Sequence, residues 1–331
     1  MAGLTTPISD RMREVAGMDE ARETISVVIP TRDRPSLVRR AVSSALQQTY
    51  NPVEVIVVVD GPDKASVSAL REIQDPRLRV TALPANVGPA GARNAGVREA
   101  RGAWVAFLDD DDEWLPCKLE VQMKAASRST CAFPVVTSRF IARTGRGEFI
   151  WPRRLKPRAE SVGEYLFLRK PFYRREGMIA TPTLLTKKAL LREVPFGSNS
   201  WVHEDWEWLL RASAHEGVGI EFVPDALATV RAMQEDRVSL ANRQDWKRSL
   251  AWIRENRDLV TPQAYAGFIL TQVSRIANRE RDRTAFWPLL QEAVRRGKPR
   301  VIDLLLYTVM WLIPREARQR FVVFASGDRR L

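Results

Sequence analysis

Cysteine and histidine are scarce: the chain has 331 residues but two of each. Cys117 and Cys131 are too few for a disulfide-stapled scaffold or for a zinc site made of cysteine alone. His203 and His215 leave little room for a metal centre built on several histidines. If the protein binds a metal, we therefore expect mostly oxygen ligands, which suit Mg²⁺ or Mn²⁺.

Long apolar runs are missing as well. The longest, at residues 301–314, contains Asp303 and is shorter than the roughly 18 to 20 residues that a membrane-spanning helix needs. Residues 1–22 mix acids, bases and glycine and have no apolar segment typical of a secretory signal. We therefore predict a cytoplasmic protein with reduced cysteines.

Charge is distributed unevenly along the chain. The net charge is +12 overall, −3 over residues 1–120 and +15 over residues 121–331. A basic second half suits an anionic partner such as a phosphate, a lipid head group or nucleic acid, and a solvated basic surface explains it equally well. Because the sequence has no recognised nucleic-acid-binding module, we expect no nucleic-acid partner.

The sequence predicts an α/β fold. Its 45% hydrophobic and 28% charged residues are typical of a globular protein and exclude a disordered, collagen-like or coiled-coil chain. Up to residue 112, short β-branched runs alternate with segments of helical apolar spacing. The predicted strands are residues 25–30, 53–60, 78–83 and 104–108, and the predicted helices are residues 35–48, 63–73 and 89–100. Such alternation predicts a mostly parallel sheet with helices on both faces and ligands at the carboxyl ends of the strands.

The second half of the sequence is less regular. Strands are predicted at residues 133–141, 178–186 and 220–231, with a basic loop at 143–158 and a helix at 201–214. From residue 238 onward the chain is predicted to be helical to its end.

Four consecutive aspartates, Asp109 to Asp112, follow the fourth predicted strand directly. Neighbouring carboxylates repel one another, and a bound cation or the donors of a ligand would relieve that repulsion. Because side chains alternate in direction at a strand end, we expect Asp109 and Asp111 to point the same way, so that one can hold a metal while the other accepts a hydroxyl. The alternative is a charged turn that caps the next helix.

Candidate site residues also lie at the ends of the first two predicted strands and at the start of the third helix. They are Pro30, Thr31, Arg32, Asp33 and Arg34 at the end of the first strand, Asp60 at the end of the second, and Arg93 and Asn94 in the glycine-rich helix start. Asp60 can accept hydrogen bonds from a ribose or base edge, or simply form a turn with Gly61. Arg93 and Asn94 can reach a phosphate or brace the acid loop. The small residues around them are equally suited to helix-on-sheet packing. Arg32 and Arg34 are equally suited to exposure to solvent.

A second acidic cluster, Glu204 and Asp205, opens the helix predicted at residues 201–214. The helix dipole alone favours acids there. Asp205 shares a helical face with the apolar residues Trp208 and Leu209, which would desolvate its carboxylate and raise its pKa. Asp205 is therefore the candidate general base.

Together these segments resemble glycosyltransferase family 2, inverting enzymes with the GT-A fold. The resemblance rests on residues 25–33, 53–60, 86–96 and 106–116, on the acidic motif at 203–208, and on a closing segment at 231 and 237–240. It covers roughly residues 24–240. It implies a mostly parallel nucleotide-binding sheet flanked by helices, a nucleotide-sugar donor, a divalent metal ion (Mg²⁺ or Mn²⁺) and direct displacement at the anomeric carbon.

The resemblance also implies roles for individual residues. The family's acid that binds the base of the nucleotide falls on Asp60. Its Asp-x-Asp pair falls on Asp109, toward the ribose, and on Asp111, toward the metal. Its catalytic base falls on Asp205. Asp109 is also a candidate metal ligand. The remaining predicted donor-binding residues are Pro30, Thr31, Arg32, Asp33, Arg93, Asn94 and Asp110, with Asp112, Glu204 and Arg231 in support. Where relatives often have a histidine that can be a third protein ligand to the metal, this chain has Met233.

The predicted function is transfer of a sugar from a nucleotide-sugar donor to a hydroxyl of a glycan, lipid-linked or other acceptor, in cell-surface glycan synthesis. The predicted organisation is a loosely ordered leader (1–23), a GT-A catalytic domain (24–240, with its donor half at 24–120 and acceptor half at 121–240) and a helical C-terminal extension (241–331). One alternative is a nucleotidyltransferase, although residues 30–35 lack the glycine-rich loop usual there. The other is a non-catalytic nucleotide-sugar-binding protein, against which the intact acidic set argues.

Basic residues flank the apolar segment at 301–313. They are Arg295, Arg296, Lys298 and Arg300 before it and Arg315, Arg318 and Arg320 after it. A short apolar helix with basic flanks can lie in a membrane interface, which would place the protein peripherally on the inner face of the membrane. Packing on the catalytic domain, or on a second subunit of an oligomer, is the alternative.

Overall fold

The computed structural model describes residues 22–145, 147–169, 177–197, 202–231 and 245–313. Nine strands of these residues form one sheet. The strands are β1 (Ile25–Thr31), β2 (Val53–Val59), β3 (Leu78–Ala82), β4 (Trp104–Phe107), β5 (Glu113–Trp114), β6 (Phe133–Thr144), β7 (Gly147–Trp151), β8 (Leu185–Lys187) and β9 (Val218–Arg231). The helices are α1 (Pro35–Leu46), α2 (Lys64–Arg71), α3 (Gly88–Glu99), α4 (Lys118–Ser127), α5 (Val162–Phe167), α6 (Lys188–Glu193), α7 (Glu204–Ser213), α8 (Trp246–Glu255), α9 (Pro262–Phe268), α10 (Ser274–Arg279), α11 (Phe286–Arg296) and α12 (Val301–Leu312). A π-helical segment, Ile269–Val273, joins α9 to α10.

The first half of the sheet is parallel, as predicted. Its strands run in the order β3-β2-β1-β4, each parallel to its neighbour. Thr31 is in register with Val59, so the carboxyl ends of β1 and β2 lie side by side. Helix α3 packs closely on this sheet because Gly96 has no side chain: a Cβ there would come within 2.3 Å of Val28 Cγ1. The prediction that small residues serve helix-on-sheet packing is confirmed at this position.

The second half of the sheet is mixed, and two predictions about it are wrong. The strand expected at residues 178–186 is a 3₁₀ turn, Thr181–Thr183, followed by the short β8. Pro182 has no N–H to donate to a sheet, and the Thr183 hydroxyl bonds back to Ala180. The basic loop expected at 143–158 includes β7, which pairs antiparallel with β6.

Apolar cores cover both faces of the sheet. One joins Val28 and Phe107 of the strands to Phe268 and Tyr307 of the C-terminal helices, and the other packs α1 and α4 on the opposite face. The described C-terminal helices therefore share a core with the sheet. The boundary predicted at residue 240 lies outside the described residues, as does nearly all of the predicted leader, so this division of the chain stays a prediction. Within the described ranges, no helix combines the length and apolarity needed to cross a membrane.

Candidate active site

The ends of β1, β2 and β4 bring the first group of predicted site residues together. Parallel strands in register end at one edge of the sheet, and Asp60 N donates to Thr31 O at 2.9 Å across that edge. Thr31 Oγ1 in turn donates to Asp110 Oδ2 at 2.8 Å. Asp60 and Asp110 are both buried. The strand-end residues thus form one polar rim.

The four aspartates form a turn after β4. The strand ends at Phe107, and Asp112 N donates to Asp109 O at 3.1 Å. The pleat from which the alternation of Asp109 and Asp111 was expected does not extend to them, so a common direction of these two side chains stays a prediction. The capping alternative is not supported: α4 begins at Lys118, and its N-cap residue Cys117 makes no side-chain cap.

Two arginines offset the charge of this acid turn. Arg34 Nη1 lies 2.9 Å from Asp110 Oδ1 and 3.5 Å from Asp111 Oδ2. Burial raises the pKa of Asp110 to about 6, although Arg34 and the Thr31 hydroxyl both act to lower it. In sequence, Arg34 is equally suited to the strand-end rim and to solvent, and the structure places it against the acid turn.

Arg93 is the second arginine, and it bridges two elements. It is buried on α3, donating through Nη2 to Asp109 Oδ1 at 2.8 Å and through Nη1 to Glu204 Oε1 at 3.3 Å. Burial acts to lower the pKa of Arg93, but the charges of Asp109 and Glu204 outweigh it and raise that pKa. Of the two uses expected for Arg93, bracing the acid loop is the one seen.

Asp205 follows Glu204 in the first turn of α7. It is half-buried, and Trp208, Leu209 and Ala212 of its predicted face are in the core. Burial, followed by the charge of Glu204, raises the pKa of Asp205 to about 7, while Arg93 acts to lower it. A carboxyl with that pKa is ionised in part near neutral pH and can accept a proton.

His203 fixes the start of α7. Its backbone adopts the left-handed conformation (φ 60°), and its carbonyl accepts from Glu207 N at 2.9 Å. The buried imidazole stacks on Trp206 and bonds through Nε2 to Ser249 Oγ of α8 at 3.0 Å. Burial, followed by the charge of Arg275, lowers the pKa of His203 to about 3, so the ring is neutral. Sequence reasoning missed this anchor because its partner is 46 residues away.

The other predicted donor-binding residues have different surroundings. Asp60 accepts from the backbone N–H groups of Val87 and Gly88 at 2.7 and 3.0 Å. The Asn94 amide exchanges hydrogen bonds with the backbone of Phe196, at 2.9 and 3.0 Å. Both side chains therefore hold loops at the rim, and contact with a donor stays a prediction for them.

Asp33, Arg32 and Arg231 lie at the edges of the rim. The Asp33 side chain is exposed and paired with Arg32, and its backbone N–H (φ 55°) donates to Asp63 Oδ2 at 2.7 Å. Arg231 N donates to Asp112 Oδ1 at 2.9 Å, so the end of β9 supports the acid turn. Met233 and residues 237–240 lie outside the described residues.

The acid turn offers carboxylates for an open metal site. Among the described residues, no three His, Cys, Asp or Glu side chains converge as a ready metal cage. Mg²⁺-type ions are commonly held by one or two carboxylates together with the phosphates of a substrate. Asp109 fits such an open site, since its side chain is 30% exposed and no donor in the described ranges reaches its Oδ2. Asp111 fits by its chemistry, as a second carboxylate on the same turn.

The sequence of this chain is similar to those of known proteins. A family model described as glycosyl transferase family 2 matches residues 26–196. The succinoglycan biosynthesis protein ExoO of Rhizobium meliloti is 37% identical over 122 residues, 37% of this chain and 35% of its own length. The amylovoran biosynthesis glycosyltransferase AmsB of Erwinia amylovora is 26% identical over 257 residues, 73% of this chain and 82% of its own length. The chain thus spans about a third of ExoO and most of AmsB.

A solved structure supports the predicted fold. The mannosyltransferase PcManGT from Pyrobaculum calidifontis, in complex with GDP-Man and Mn²⁺, superposes with a TM-score of 0.55 at 18% identity, covering 93% of this chain and 87% of that one. At that identity the likeness concerns the fold alone, and it agrees with the predicted GT-A architecture and its helical C-terminal region.

Proposed function

The chain belongs to glycosyl transferase family 2, and from this we propose that it moves a sugar from a nucleotide-sugar donor to an acceptor hydroxyl, with inversion at the anomeric carbon. The observation that carries the proposal is Arg93, which ties the acid turn to α7. A transferase of this kind needs carboxylates that can hold a cation against the donor diphosphate, and a separate base on the acceptor side. The Arg93 bridge joins the acid turn to the start of α7, and this supports assigning both to one site.

Asp205 is the proposed base. The acceptor oxygen forms a bond to the anomeric carbon while the bond from that carbon to the diphosphate oxygen breaks. Asp205 takes the proton of the acceptor hydroxyl, and the nucleoside diphosphate leaves with the bonding electrons. A pKa near 7 suits this task, since a base near the working pH is partly ionised and still accepts a proton readily.

The polar rim is the proposed donor site. Asp111, with Asp109, would hold a divalent cation, which when bound offsets the charge of the diphosphate leaving group. Asp60, Thr31, Asp33 and their neighbours on the rim would face the nucleoside. Arg34 orients the acid turn by pairing with Asp110 and Asp111.

We place the reaction in the synthesis of cell-surface glycans. ExoO and AmsB are named for the biosynthesis of succinoglycan and amylovoran, and both names support a polysaccharide or its precursor as the acceptor. The nucleotidyltransferase and non-catalytic alternatives receive no support from these comparisons.

The test is nucleoside diphosphate release from a panel of nucleotide-sugars, each with and without Mn²⁺. Thermal-shift measurements with UDP, GDP and dTDP, with and without the metal, select the donor class first, because a ligand that binds the folded state raises its melting temperature. We expect one nucleotide to raise Tm in a metal-dependent way and its sugar derivatives to be consumed. If no nucleotide shifts Tm and no donor is turned over, the proposal is wrong.

A further inference from the structure

Helix α12 leaves an apolar stripe exposed. Val301, Leu305, Val309 and Leu312 are 74%, 56%, 43% and 73% exposed, and their i, i+4, i+8, i+11 spacing places them on one side of the helix. We call these four residues the α12 stripe. The opposite side of α12 is anchored in the core: Tyr307 is buried and its hydroxyl donates to Phe286 O. The stripe is therefore a surface feature of a packed helix.

Between residues 293 and 313, the exposed charged side chains are all positive. Between residues 293 and 313 the sequence has one carboxylate, Asp303, which is buried and paired with Arg300 at 2.7 Å. Arg295 and Arg296, the last two residues of α11, and Lys298, which follows that helix, are exposed. An apolar stripe next to these exposed cations is complementary to a surface that is apolar inside and anionic at its edge.

Trp287 is a further exposed apolar side chain in this region. It is 66% exposed at the start of α11, next to Phe286, whose ring packs against Trp311 of α12 at a centroid distance of 5.7 Å. An indole ring is apolar with one polar N–H, a combination enriched where membrane and water meet.

We propose that the α12 stripe, with Arg295, Arg296 and Lys298, binds the surface of an anionic lipid bilayer. A helix of this length extends about 18 Å, too short to span, so it would lie in the plane of the interface with the stripe among the acyl chains. This inference goes beyond the proposed sugar transfer and does not depend on it.

Charge favours a bilayer over a second copy of this chain. A two-fold interface buries the same patch on both subunits, which would bring the cationic borders of two copies toward each other. Like charges across an interface are unfavourable, whereas anionic lipid head groups attract each of these side chains.

Co-sedimentation of the full-length protein with lipid vesicles tests the proposal. We expect binding to vesicles of phosphatidylcholine mixed with phosphatidylglycerol at low salt, weaker binding at high salt, and little binding to phosphatidylcholine alone. Leu305→Glu/Leu312→Glu should weaken binding at least about tenfold, since both side chains would have to enter the bilayer charged. Arg295→Gln/Lys298→Gln should weaken it by about fivefold for each charge removed.

Matched controls separate the stripe from general surface effects. Val80→Glu/Ile150→Glu changes two other partly exposed apolar residues, both on strands, and Lys124→Gln/Arg128→Gln removes two exposed charges from the region of α4; both should bind vesicles as the wild type does. A wild-type protein that stays in the supernatant with anionic vesicles at low salt overturns the proposal, as does equal loss in test and control variants. If vesicle binding is absent and Leu305→Glu/Leu312→Glu dissociates a dimer in analytical ultracentrifugation, the stripe is an interface between copies and the membrane proposal is wrong.

Discussion

Arg93 and Glu204 are 111 positions apart in the chain, yet Arg93 Nη1 donates to Glu204 Oε1 at 3.3 Å. The same guanidinium holds Asp109, and its charge acts on Asp205. One buried side chain thus joins the acid turn to the start of α7 and acts to lower the pKa of Asp205, the proposed base, which burial raises.

Arg93→Met should impair both properties. Without the cation, Asp109 and Glu204 lose a buried partner, and we expect the free energy of unfolding to fall by about 3 kcal/mol. Because Arg93 acts to lower the pKa of Asp205, its removal should also move the acid limb of kcat/KM to higher pH. Urea unfolding and a pH–rate profile measure the two effects.

Arg98→Met is the matched control, since Arg98 lies on the same helix and is exposed. It should change stability by no more than about 0.5 kcal/mol and leave the pH–rate profile in place. If Arg93→Met keeps the wild-type acid limb, the electrostatic link between Arg93 and Asp205 is wrong.

Asp111→Ala should abolish the metal dependence of nucleoside diphosphate binding while the fold is retained. The expected cause is loss of a carboxylate that would hold the cation with Asp109. Titration of the selected nucleotide with and without Mn²⁺ gives the measurement, and Asp225→Ala, which changes an exposed acid on β9, is the control. An unchanged metal dependence in Asp111→Ala would exclude Asp111 as a ligand.

Ser249→Ala should loosen the start of α7. The buried His203 Nε2 would lose its partner, and leaving such a group unpaired costs about 1 to 3 kcal/mol. We expect a lower kcat and a nearly unchanged donor affinity, because Ser249 contacts His203 at the start of α7, the helix that carries Asp205, and not the rim. Ser127→Ala, at an exposed hydroxyl, should change neither kcat nor donor affinity. If the two variants behave alike, the hydrogen bond between His203 and Ser249 does not position α7.

Stability should depend on pH through Asp205. Its pKa is raised by burial to about 7 in the folded state and is about 3.9 when unfolded, so its contribution to stability is present at low pH and is lost as pH rises through the folded pKa. Asp205→Asn stays neutral throughout. The variant should therefore have a higher melting temperature than the wild type at pH 8, and this difference should disappear near pH 4. If the difference between the two melting temperatures is the same at every pH, the raised pKa is wrong.

The parallel half of the fold could be predicted from sequence because its signals are local. The strand at Val53–Val59 is almost wholly apolar, as a strand covered on both faces must be. The mixed half could not be predicted so well. The three-residue β8 exists through pairing with β4 and β6, and pairing between distant segments leaves no periodic pattern in either.

Some features of the site could also be predicted from local sequence, and others depend on contacts between distant segments. The acid turn follows an apolar strand, and Asp205 opens a helix with an apolar face, so both are visible in sequence. The arrangement of their charges depends on tertiary contacts: Arg34 reaches Asp110 across 76 positions, and Asp60 turns out to bind the backbone of Val87 and Gly88. Sequence indicates which groups carry charge, whereas folding decides which groups compensate them.

The central claim is that Asp205 accepts the proton of the acceptor in sugar transfer, and turnover by Asp205→Asn tests it most directly. Nucleoside diphosphate release should be measured for wild type and variant across pH, alongside the donor dissociation constant. We expect wild-type kcat/KM to rise with pH and level off above about 7, and the variant to bind donor normally but turn over about 10²- to 10⁴-fold more slowly, without that acid limb. Near-normal turnover by the variant, or a wild-type acid limb retained in it, would contradict the assignment of Asp205 as the base.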